Sequence, residues 1–321
     1  MINIIKNFNK TKILVIGDLM LDTWIQGHVN RISPEADVPV VLGENTIYAP
    51  GGAGNCAANI KSLGGKAAVL GIVGQDQAGQ ELKEIFKQIG ITISGLFRQP
   101  LKPTTQKIRI SGIHNQITRL DWENTQDINQ QTQDRILMFF KKNVLKYQAV
   151  ILSDYAKGLF AKALTKKIIQ ITNQKKIPTI ADIKPKNMEK FIGVSVVMPN
   201  LTEAVEMSGL DSLESNNNRA TEKMAKIIKQ NLQSNVIITR GAKGMTVFNG
   251  KLTHIPTQAR EIYEVAGAGD TAVSALALSI ASGASLKNSA KIANTAAGIA
   301  VSKHGTTAVT QDELIKNINA K

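Results

Sequence analysis

The residues with the clearest chemical potential lie in the stretch Gly267-Ala268-Gly269-Asp270, which precedes an apolar segment predicted to be helical. Glycines allow a ligand to approach the backbone closely, and the N–H groups and dipole of a helix N-terminus favour anionic oxygens. Asp270 lies in the first turn, where its carboxylate could take the proton of a hydroxyl that attacks a phosphate. The stretch therefore suggests phosphoryl transfer. A helix start with an acidic residue favoured by the dipole alone is the alternative.

Further polar residues follow segments that are predicted to be strands. The aliphatic run from Lys12 to Gly17 predicts a buried central strand, and Asp18 and Asp22 come directly after it. Ligands of open α/β sheets bind beyond the carboxyl ends of the strands, so both carboxylates are candidates for holding sugar hydroxyls, with a solvated turn aspartate as the alternative for Asp18. Other candidates at this edge follow later predicted strands. They are Asp154 and Lys157 after strand 149–153, Lys184 and Lys186 after strand 177–181, and Asn200, Leu201, Thr202 and Glu203 after strand 194–198. Thr239, Gly241 and Gly244 lie at the end of the strand that begins at Asn235 and in the turn after it.

Two of these groups favour specific ligands. Gly51, Gly52 and Asn55 open a predicted helix, where the glycines allow close approach and the amide can bind a hydroxyl. The oxygens of Asn200 to Glu203 could act through water on the magnesium ion of Mg–ATP, because Mg²⁺ usually keeps several waters. A helix N-terminus with an acidic first turn explains that second group equally well.

The order of predicted strands and helices indicates an α/β fold. Its strands form a doubly wound, mainly parallel sheet with helices on both faces, in a single domain over residues 1–321. Two extended stretches, about 38–48 and 104–122, interrupt the alternation, and the second turns near His114 and Asn115. We interpret them as a small β-sheet lid over the site, with an edge hairpin of the main sheet as the alternative.

Composition limits the class of protein. The chain has 321 residues, 43% of them hydrophobic and 20% charged, as expected for an ordinary soluble protein. It has no apolar run of signal-peptide or membrane-spanning type, so we expect a cytoplasmic protein with no membrane partner. Cys56 is the only cysteine, which excludes a disulfide framework.

The formal net charge is +14, which raises the question of nucleic acid. We interpret the lysines as scattered, and only 4% of the residues are aromatic, so base-stacking surfaces are not expected. The sequence therefore favours an anionic small substrate over nucleic acid.

Taken in order, the motifs resemble the ribokinase-like carbohydrate kinases over essentially the whole chain. The glycine and acidic motifs near residues 17–22, 51–55, 200–203, 239–241 and 267–270 carry this resemblance. Four longer stretches are most similar to the D-glycero-D-manno-heptose-7-phosphate kinases of that family. They are Gly17-Asp-Leu-Met-Leu-Asp22, Arg31-Ile-Ser-Pro-Glu35, Asn115-Gln-Ile-Thr-Arg-Leu-Asp-Trp-Glu123 and Ser153-Asp-Tyr-Ala-Lys-Gly158.

The resemblance implies a role for each group of candidate residues. Asp270 would be the base, residues 267–269 the anion hole, and residues 200–203 part of the Mg–ATP site, with Glu203 acting on the metal through water. Asn294 would lie near the nucleotide with Thr239 and Gly241. The family also implies a homodimer paired through the lid. Glu264 and Ala266 depart from the residues common in the family, without removing the base or the anion hole.

A sugar that already carries a phosphate needs cations opposite the anion hole. The candidates are Arg109 and Arg119 from the lid, with Lys157, Lys184 and Lys186 from the sheet edge. No closely paired histidines occur, so a nucleotidyltransferase domain is not expected. The alternatives are a kinase for another sugar or sugar phosphate such as ribose or fructose 6-phosphate, a sugar sensor without catalysis, and a basic nucleic-acid binder.

Overall fold

Aliphatic and β-branched runs form the strands of two sheets. The computed structural model describes residues 1–112, 115–210, 217–257, 266–303 and 308–319. In chain order the strands are β1 Lys12–Gly17, β2 Leu19–Ile32, β3 Pro39–Gly52, β4 Lys66–Ile72, β5 Thr92–Phe97, β6 Thr105–Ser111, β7 Gln116–Trp122, β8 Ala149–Ser153, β9 Thr179–Asp182, β10 Val196–Val197, β11 Asn235–Thr239, β12 Met245–Phe248 and β13 Leu252–Ile255.

The larger sheet has nine strands in the order β13-β12-β11-β10-β9-β8-β1-β4-β5. The seven strands from β11 to β5 in this spatial order run parallel, and β12 and β13 add an antiparallel edge. The carboxyl ends of β1, β8, β9, β10 and β11 therefore meet at one edge. This is the edge where the sequence predicts the ligand-binding residues.

Helices cover both faces of the large sheet, as predicted. Alternate residues of a strand point to opposite faces, so Ile13 and Val15 of β1 enter one apolar core while Leu14 and Ile16 enter the other. The helices are α1 Ile2–Lys6, α2 Ala53–Ser62, α3 Gln77–Gln88, α4 Gln130–Asn143, α5 Lys162–Gln174, α6 Leu201–Ser208, α7 Asn218–Leu232, α8 Ala268–Ala281, α9 Leu286–Val301 and α10 Gln311–Asn319. Residues of α1, α2, α3, α8, α9 and α10 pack in the first core, and residues of α4, α5, α6 and α7 in the second.

The smaller sheet has four strands in the order β3-β2-β6-β7. β2 pairs antiparallel with β3 and parallel with β6, and β6 pairs antiparallel with β7. A sheet separate from the main one is therefore confirmed, and the edge-hairpin alternative is wrong. The sequence interpretation missed the 14-residue strand β2, because Leu19, Met20 and Leu21 are all buried and hide the period-two alternation.

The C-terminal segment packs against the body of the fold. Residues 311–319 form α10, whose Leu314 is buried in the first core. Gln311 Nε2 donates to the carbonyl of Ile5 at 2.6 Å, so this helix is fixed against α1. Ile315 and Ile318 of α10 pack against the same core. In the described part of the chain, every helix is too short or too polar to cross a bilayer.

Candidate active site

Loops at the carboxyl edge of the large sheet enclose a cavity of about 160 Å³. Strands β8, β9, β10 and β11 lie side by side, so the residues that follow them are brought together. The start of α8 closes the cavity from the other side. Its lining residues are Tyr155, Asp182, Lys184, Met198, Asn200, Glu203, Thr239, Gly267, Gly269 and Asp270.

The N-terminus of α8 presents its backbone to this cavity. Gly267, the residue before the helix, has φ 80°, a left-handed conformation that favours glycine. A Cβ at Gly267 would also lie 3.2 Å from the side-chain nitrogen of Asn55. The helix start has no side-chain cap, so the N–H groups of Ala268 and Gly269 are not used by a capping residue. The arrangement suits an anionic oxygen in the cavity.

Asp270 is a buried carboxylate with a donor on each side. Asn55 Nδ2 donates to Oδ2 at 2.7 Å, and the Tyr155 hydroxyl donates to Oδ1 at 3.0 Å. The Cys56 thiol also donates to Oδ1, at 3.1 Å. A carboxylate oxygen can accept two hydrogen bonds, so Oδ2 keeps a free acceptor position for a substrate hydroxyl.

The orientation of the Asn55 amide is fixed by residues behind it. Thr271 Oγ1 donates to Asn59 Oδ1 at 2.8 Å, and Asn59 Nδ2 in turn donates to Asn55 Oδ1 at 3.1 Å. Asn55 Oδ1 therefore accepts, and its Nδ2 must face Asp270. Helices α2 and α8 are locked together by this chain of hydrogen bonds, which holds the Asp270 carboxylate in one position.

Burial controls the ionisation of the acids in the cavity. It raises the pKa of Asp270, while the Cys56, Asn55 and Tyr155 donors oppose that rise. Burial, with the negative charges of Asp270 and Glu203, raises the pKa of Asp182 to about 8, and Lys184 offsets only part of this. Asp182 is therefore largely protonated at neutral pH, so the cavity carries less negative charge than its acid count suggests.

Lys184 and Glu203 form an ion pair in the cavity wall. Lys184 Nζ lies 2.7 Å from Glu203 Oε1 and 5.6 Å from the centre of the Tyr155 ring. Glu203 and Asn200 also form a reciprocal capping box at the start of α6. Both interpretations of this segment are thus compatible with the structure, since Glu203 caps a helix and lines the cavity.

The oxygens here fit a hydrated cation better than a directly bound one. Among the described residues, no three carboxylate, histidine or cysteine side chains are grouped to hold a metal ion. Asp182 and Glu203 nevertheless line the cavity together, and hard oxygens are the ligands that Mg²⁺ prefers. A magnesium ion that keeps its waters is consistent with this donor set.

The candidate sugar-binding residues Asp22 and Gly51 lie on the small sheet. Asp22 is in β2, not in a loop after β1, and its Oδ1 lies 2.9 Å from Arg109 NH1 in β6. The Arg109 guanidinium also stacks 5.0 Å from the Trp24 ring centre. A Cβ at Gly51 would be 2.5 Å from Asp22 Oδ2, so only glycine allows this approach. A Cβ at the next residue, Gly52, would lie 3.4 Å from Cδ2 of Tyr155, so this part of the small sheet borders the cavity.

Asp18 and Asp154 do not line this cavity, and both are buried with hydrogen-bond partners in the backbone and side chains around them. Asp18 accepts the N–H groups of Tyr155, Lys157 and Leu159, and Asp154 accepts the N–H of Ala156 and the amide of Asn187. Burial raises the pKa of Asp18 to about 6, even though these N–H groups favour the charged form. The two carboxylates fix the turn that carries Tyr155. The structure does not bring them to Asp270 as sugar ligands, and it rules out the solvated-turn alternative for Asp18.

The remaining candidate cations do not all converge. Arg119 lies opposite Arg109 across β6 and β7, but its guanidinium binds Asp121. Lys157 Nζ lies 2.5 Å from Glu123 Oε2. Lys157 lines a second, smaller cavity with Asp18 and Lys102. Lys186 is exposed. Of the five predicted cations, only Lys184 lines the Asp270 cavity, and Arg109 pairs with Asp22 on the small sheet.

Of the candidate nucleotide residues, Asn200, Glu203 and Thr239 line the cavity. Asn200 and Thr239 are adjacent through a parallel bridge between their strands' ends. Gly244 has φ 77°, and a Cβ there would lie 2.1 Å from the Ile255 carbonyl. Asn294 Nδ2 donates to the Pro256 carbonyl at 2.7 Å. Gly241 has φ 55°, Leu201 is half-buried, and Thr202 is exposed. Gly52, a candidate for the sugar, also has φ 55°.

Sequence reasoning did not assign Tyr155, Cys56 or Asp182 to the site. Tyr155 lies in the stretch 153–158, which indicates only a family resemblance, and Cys56 directly follows Asn55. The residue types gave no signal, because Tyr and Cys are more often ordinary core residues. Their positions next to the candidate residues Asp154 and Asn55 could have identified them. The departure at Glu264 and the turn at His114 lie outside the described residues.

The chain matches known proteins over most of its length. Residues 10–313 match the family model described as "pfkB family carbohydrate kinase". The relatives include proteins named "Bifunctional protein HldE" from Azorhizobium caulinodans, 38% identical over 94% of this chain and 63% of the relative, and from Aliarcobacter butzleri, 36% identical over 95% and 64%. The chain thus spans less than two thirds of the length of these relatives.

Solved structures support the fold. A ribokinase from Arabidopsis thaliana, solved with ribose and ATP, aligns with a TM-score of 0.73 at 17% identity, over 96% of this chain and 98% of that one. Phosphofructokinase-2 from Escherichia coli, solved with substrates and products, aligns with a TM-score of 0.78 at 18% identity, over 97% and 99%. At such identities the likeness concerns the architecture, and it agrees with the predicted α/β sheet and lid.

The raised pKa of Asp182 predicts how stability depends on pH. The folded state binds a proton at Asp182 that the unfolded state releases near pH 4, so stability is lost as pH rises from about 4 to 8. Asp182→Asn mimics the protonated form and should flatten this part of the curve. We expect its melting temperature to exceed that of the wild type by a margin that grows from pH 5 to pH 8.5.

A matched control is Asp312→Asn, which removes an exposed carboxylate from the first turn of α10. Thermal unfolding across this pH range should leave the control parallel to the wild type. A constant difference between Asp182→Asn and wild type at all pH values would contradict a protonated Asp182.

Proposed function

Because the chain belongs to the pfkB family of carbohydrate kinases, we propose that it transfers the γ-phosphoryl group of ATP to the anomeric O1 of D-glycero-D-manno-heptose 7-phosphate. The product would be the 1,7-bisphosphate, an intermediate in nucleotide-activated heptose synthesis for lipopolysaccharide, formed in the cytoplasm. The observation that carries the mechanism is Asp270, a buried carboxylate at an uncapped helix N-terminus. The resemblance of residues 17–22, 31–35, 115–123 and 153–158 carries the choice of sugar.

In this mechanism Asp270 Oδ2 accepts the proton of the attacking hydroxyl. Asn55 holds Oδ2 while Tyr155 and Cys56 hold Oδ1, so the carboxylate needs no reorientation when the substrate binds. The N–H groups at 267–269 and the dipole of α8 stabilise the charge on the transferred phosphoryl group. Removal of the proton and neutralisation of the phosphoryl charge thus occur within one helical turn.

The nucleotide and its metal are assigned to the opposite wall. Asn200, Thr239 and Gly241 would border ATP, and Glu203 would act on magnesium through water. Bound magnesium would neutralise the phosphate oxygens of ATP. Lys184, already paired with Glu203 at 2.7 Å, would contribute a further positive charge on the same wall.

The far phosphate of the sugar is assigned to the small sheet. Arg109 is the strongest candidate, because Asp22 and Trp24 hold its guanidinium in place on the same sheet face, with Arg119 opposite it. Planar guanidinium groups bind phosphate oxygens in pairs, which an ammonium group cannot do. The alternative is another sugar or sugar phosphate, such as ribose or fructose 6-phosphate, bound by the same machinery.

The small sheet is also proposed to pair with its copy in a homodimer. Tyr48, Thr23, Ile108 and Leu120 form a cross-strand row, and strand alternation puts this row on the face opposite Asp22 and Arg109. Leu120 is 47% exposed and Trp122 is 58% exposed. Large apolar side chains grouped on one sheet face are typical of a protein interface.

Replacing the base tests the mechanism. Asp270→Asn should lower kcat by about 10²–10⁴-fold, because an amide cannot accept the hydroxyl proton, while ATP affinity changes little. A coupled ADP-release assay gives kcat, and calorimetry gives ATP affinity. Asp312→Asn serves as a control for removal of a first-turn carboxylate. Turnover of Asp270→Asn within a few-fold of wild type would remove Asp270 from this role.

A substrate panel tests the choice of sugar. The wild type should prefer heptose 7-phosphate to unphosphorylated heptose by about 100-fold or more in kcat/KM, since two charge-assisted hydrogen bonds are worth about 1.5–3 kcal/mol each. Arg109→Leu should reduce this preference more than Ile192→Leu, an apolar surface control distant in sequence. Equal rates on both heptoses, or a preference for ribose, would reject the heptose assignment and keep the kinase class.

The dimer is tested by light scattering at micromolar concentration. The wild type should have twice the mass of the chain, and Leu120→Lys with Trp122→Lys should shift it to the monomer. Ile192→Lys, an exposed apolar residue on another surface, should leave the mass unchanged. A wild type that is monomeric and fully active would count against the interface.

A further inference from the structure

The positive charge of the chain is concentrated, which corrects our interpretation of the lysines as scattered. Residues 135–176 contain ten lysines and arginines and only one acidic residue, Asp154. This segment therefore carries nine of the fourteen net positive charges. Asp154 is buried and bonded to Ala156 and Asn187, so it does not neutralise the surface.

The fold collects these charges on one helix layer. Helices α4 and α5 pack side by side on the second core, so their solvent-facing sides form a continuous surface. We define the basic face as the exposed lysines of α4, α5 and the turns after them, which are Lys141, Lys142, Lys146, Lys162, Lys166, Lys167, Lys175 and Lys176.

These ammonium groups are not paired with carboxylates. No ion pair joins any of the eight to an acid in the described ranges, whereas Lys226 on α7 pairs with Glu222 and Lys87 on α3 pairs with Glu84. Lys146 contacts only a neutral group, Asn143 Oδ1, at 2.7 Å. Mutual repulsion at such a density costs stability, so the unpaired arrangement indicates that an external anion can bind there.

Large apolar side chains lie among the lysines. Met138 is 70% exposed and Leu145 is 69% exposed. Met138 is three and four residues before Lys141 and Lys142, which places these three side chains on the same side of α4. Leu145 follows in the next turn. The basic face is thus amphipathic, with apolar groups that protrude between cations.

We propose that the basic face docks on a bilayer surface of anionic phospholipids. Lysines attract anionic headgroups without requiring a fixed geometry, and each contributes about fivefold to binding near such a surface. Met138 and Leu145 would enter the boundary between headgroups and acyl chains, as the apolar residues of interfacial helices do. The docked protein would lie on the membrane without crossing it.

A nucleic acid fits this face less well. Base recognition by a surface needs exposed aromatic rings or arginines, but Phe140 and Tyr147 are buried here and the half-buried Phe139 packs edge-on against Phe97. The one arginine of the segment, Arg135, lies over the Phe97 ring at 5.4 Å. Docking is independent of the kinase activity, because the basic face is part of a helix layer and the Asp270 cavity opens at the sheet edge.

Sedimentation with vesicles tests the docking. The full chain should bind vesicles of phosphatidylcholine with 30% phosphatidylglycerol at low salt, and should not bind phosphatidylcholine alone. The triple variant Lys141→Glu, Lys142→Glu, Lys146→Glu should bind at least tenfold more weakly. Met138→Ser with Leu145→Ser, which leaves the charge unchanged, should weaken binding several-fold.

The matched control reverses three lysines on the opposite helix layer, Lys10→Glu, Lys287→Glu and Lys316→Glu, with the same change in net charge. It should bind within about twofold of wild type, and kinase activity on soluble substrate should be retained in all variants as a check on folding. Equal loss in the control triple would mean that net charge alone drives binding, and would overturn the proposal. No binding to anionic vesicles, or binding to single-stranded RNA without binding to vesicles, would overturn it as well.

Discussion

The proposed mechanism depends on keeping one buried carboxylate, Asp270, ionised and fixed. Burial alone drives Asp270 towards its protonated, inactive form, and the surrounding donors oppose this by stabilising the charge. Those donors come from two distant segments, Asn55 and Cys56 at the start of α2 and Tyr155 after β8. Each segment is in turn fixed by its own network. The charge and the position of Asp270 therefore depend on segments that only the complete fold brings together at this sheet edge.

The turn that carries Tyr155 shows how much structure supports one hydrogen bond. Asp18 and Asp154 accept four backbone N–H groups between residues 155 and 159, and Ala156 is held at φ 57°, a left-handed conformation that costs a non-glycine residue about 1–2 kcal/mol. Such strain persists only where the surroundings enforce it. The two aspartates thus serve the base indirectly, by fixing the tyrosine that contacts it.

Patterns that repeat along the chain could be predicted, and contacts between distant side chains could not. The aliphatic run of β1 predicted a strand of the parallel sheet, and the glycines before α8 predicted an uncapped helix start that suits an anion, since both signals are local. The donation from Tyr155 to Asp270 joins residues 115 positions apart, and the pairing of Asp22 with Arg109 depends on the register of β2 and β6. The basic face was not predicted either, because the charges of residues 135–176 form one surface only when α4 packs against α5.

The most direct test of this account is the pH dependence of kcat/KM for the wild type and Tyr155→Phe. Loss of the phenol donor should raise the pKa of Asp270, so the acid limb of the profile should move up by about one pH unit. Activity at the alkaline plateau should return to within a few-fold of wild type, because the base itself remains. A profile that only decreases in height, with its acid limb unmoved, would contradict control of the base by its donors.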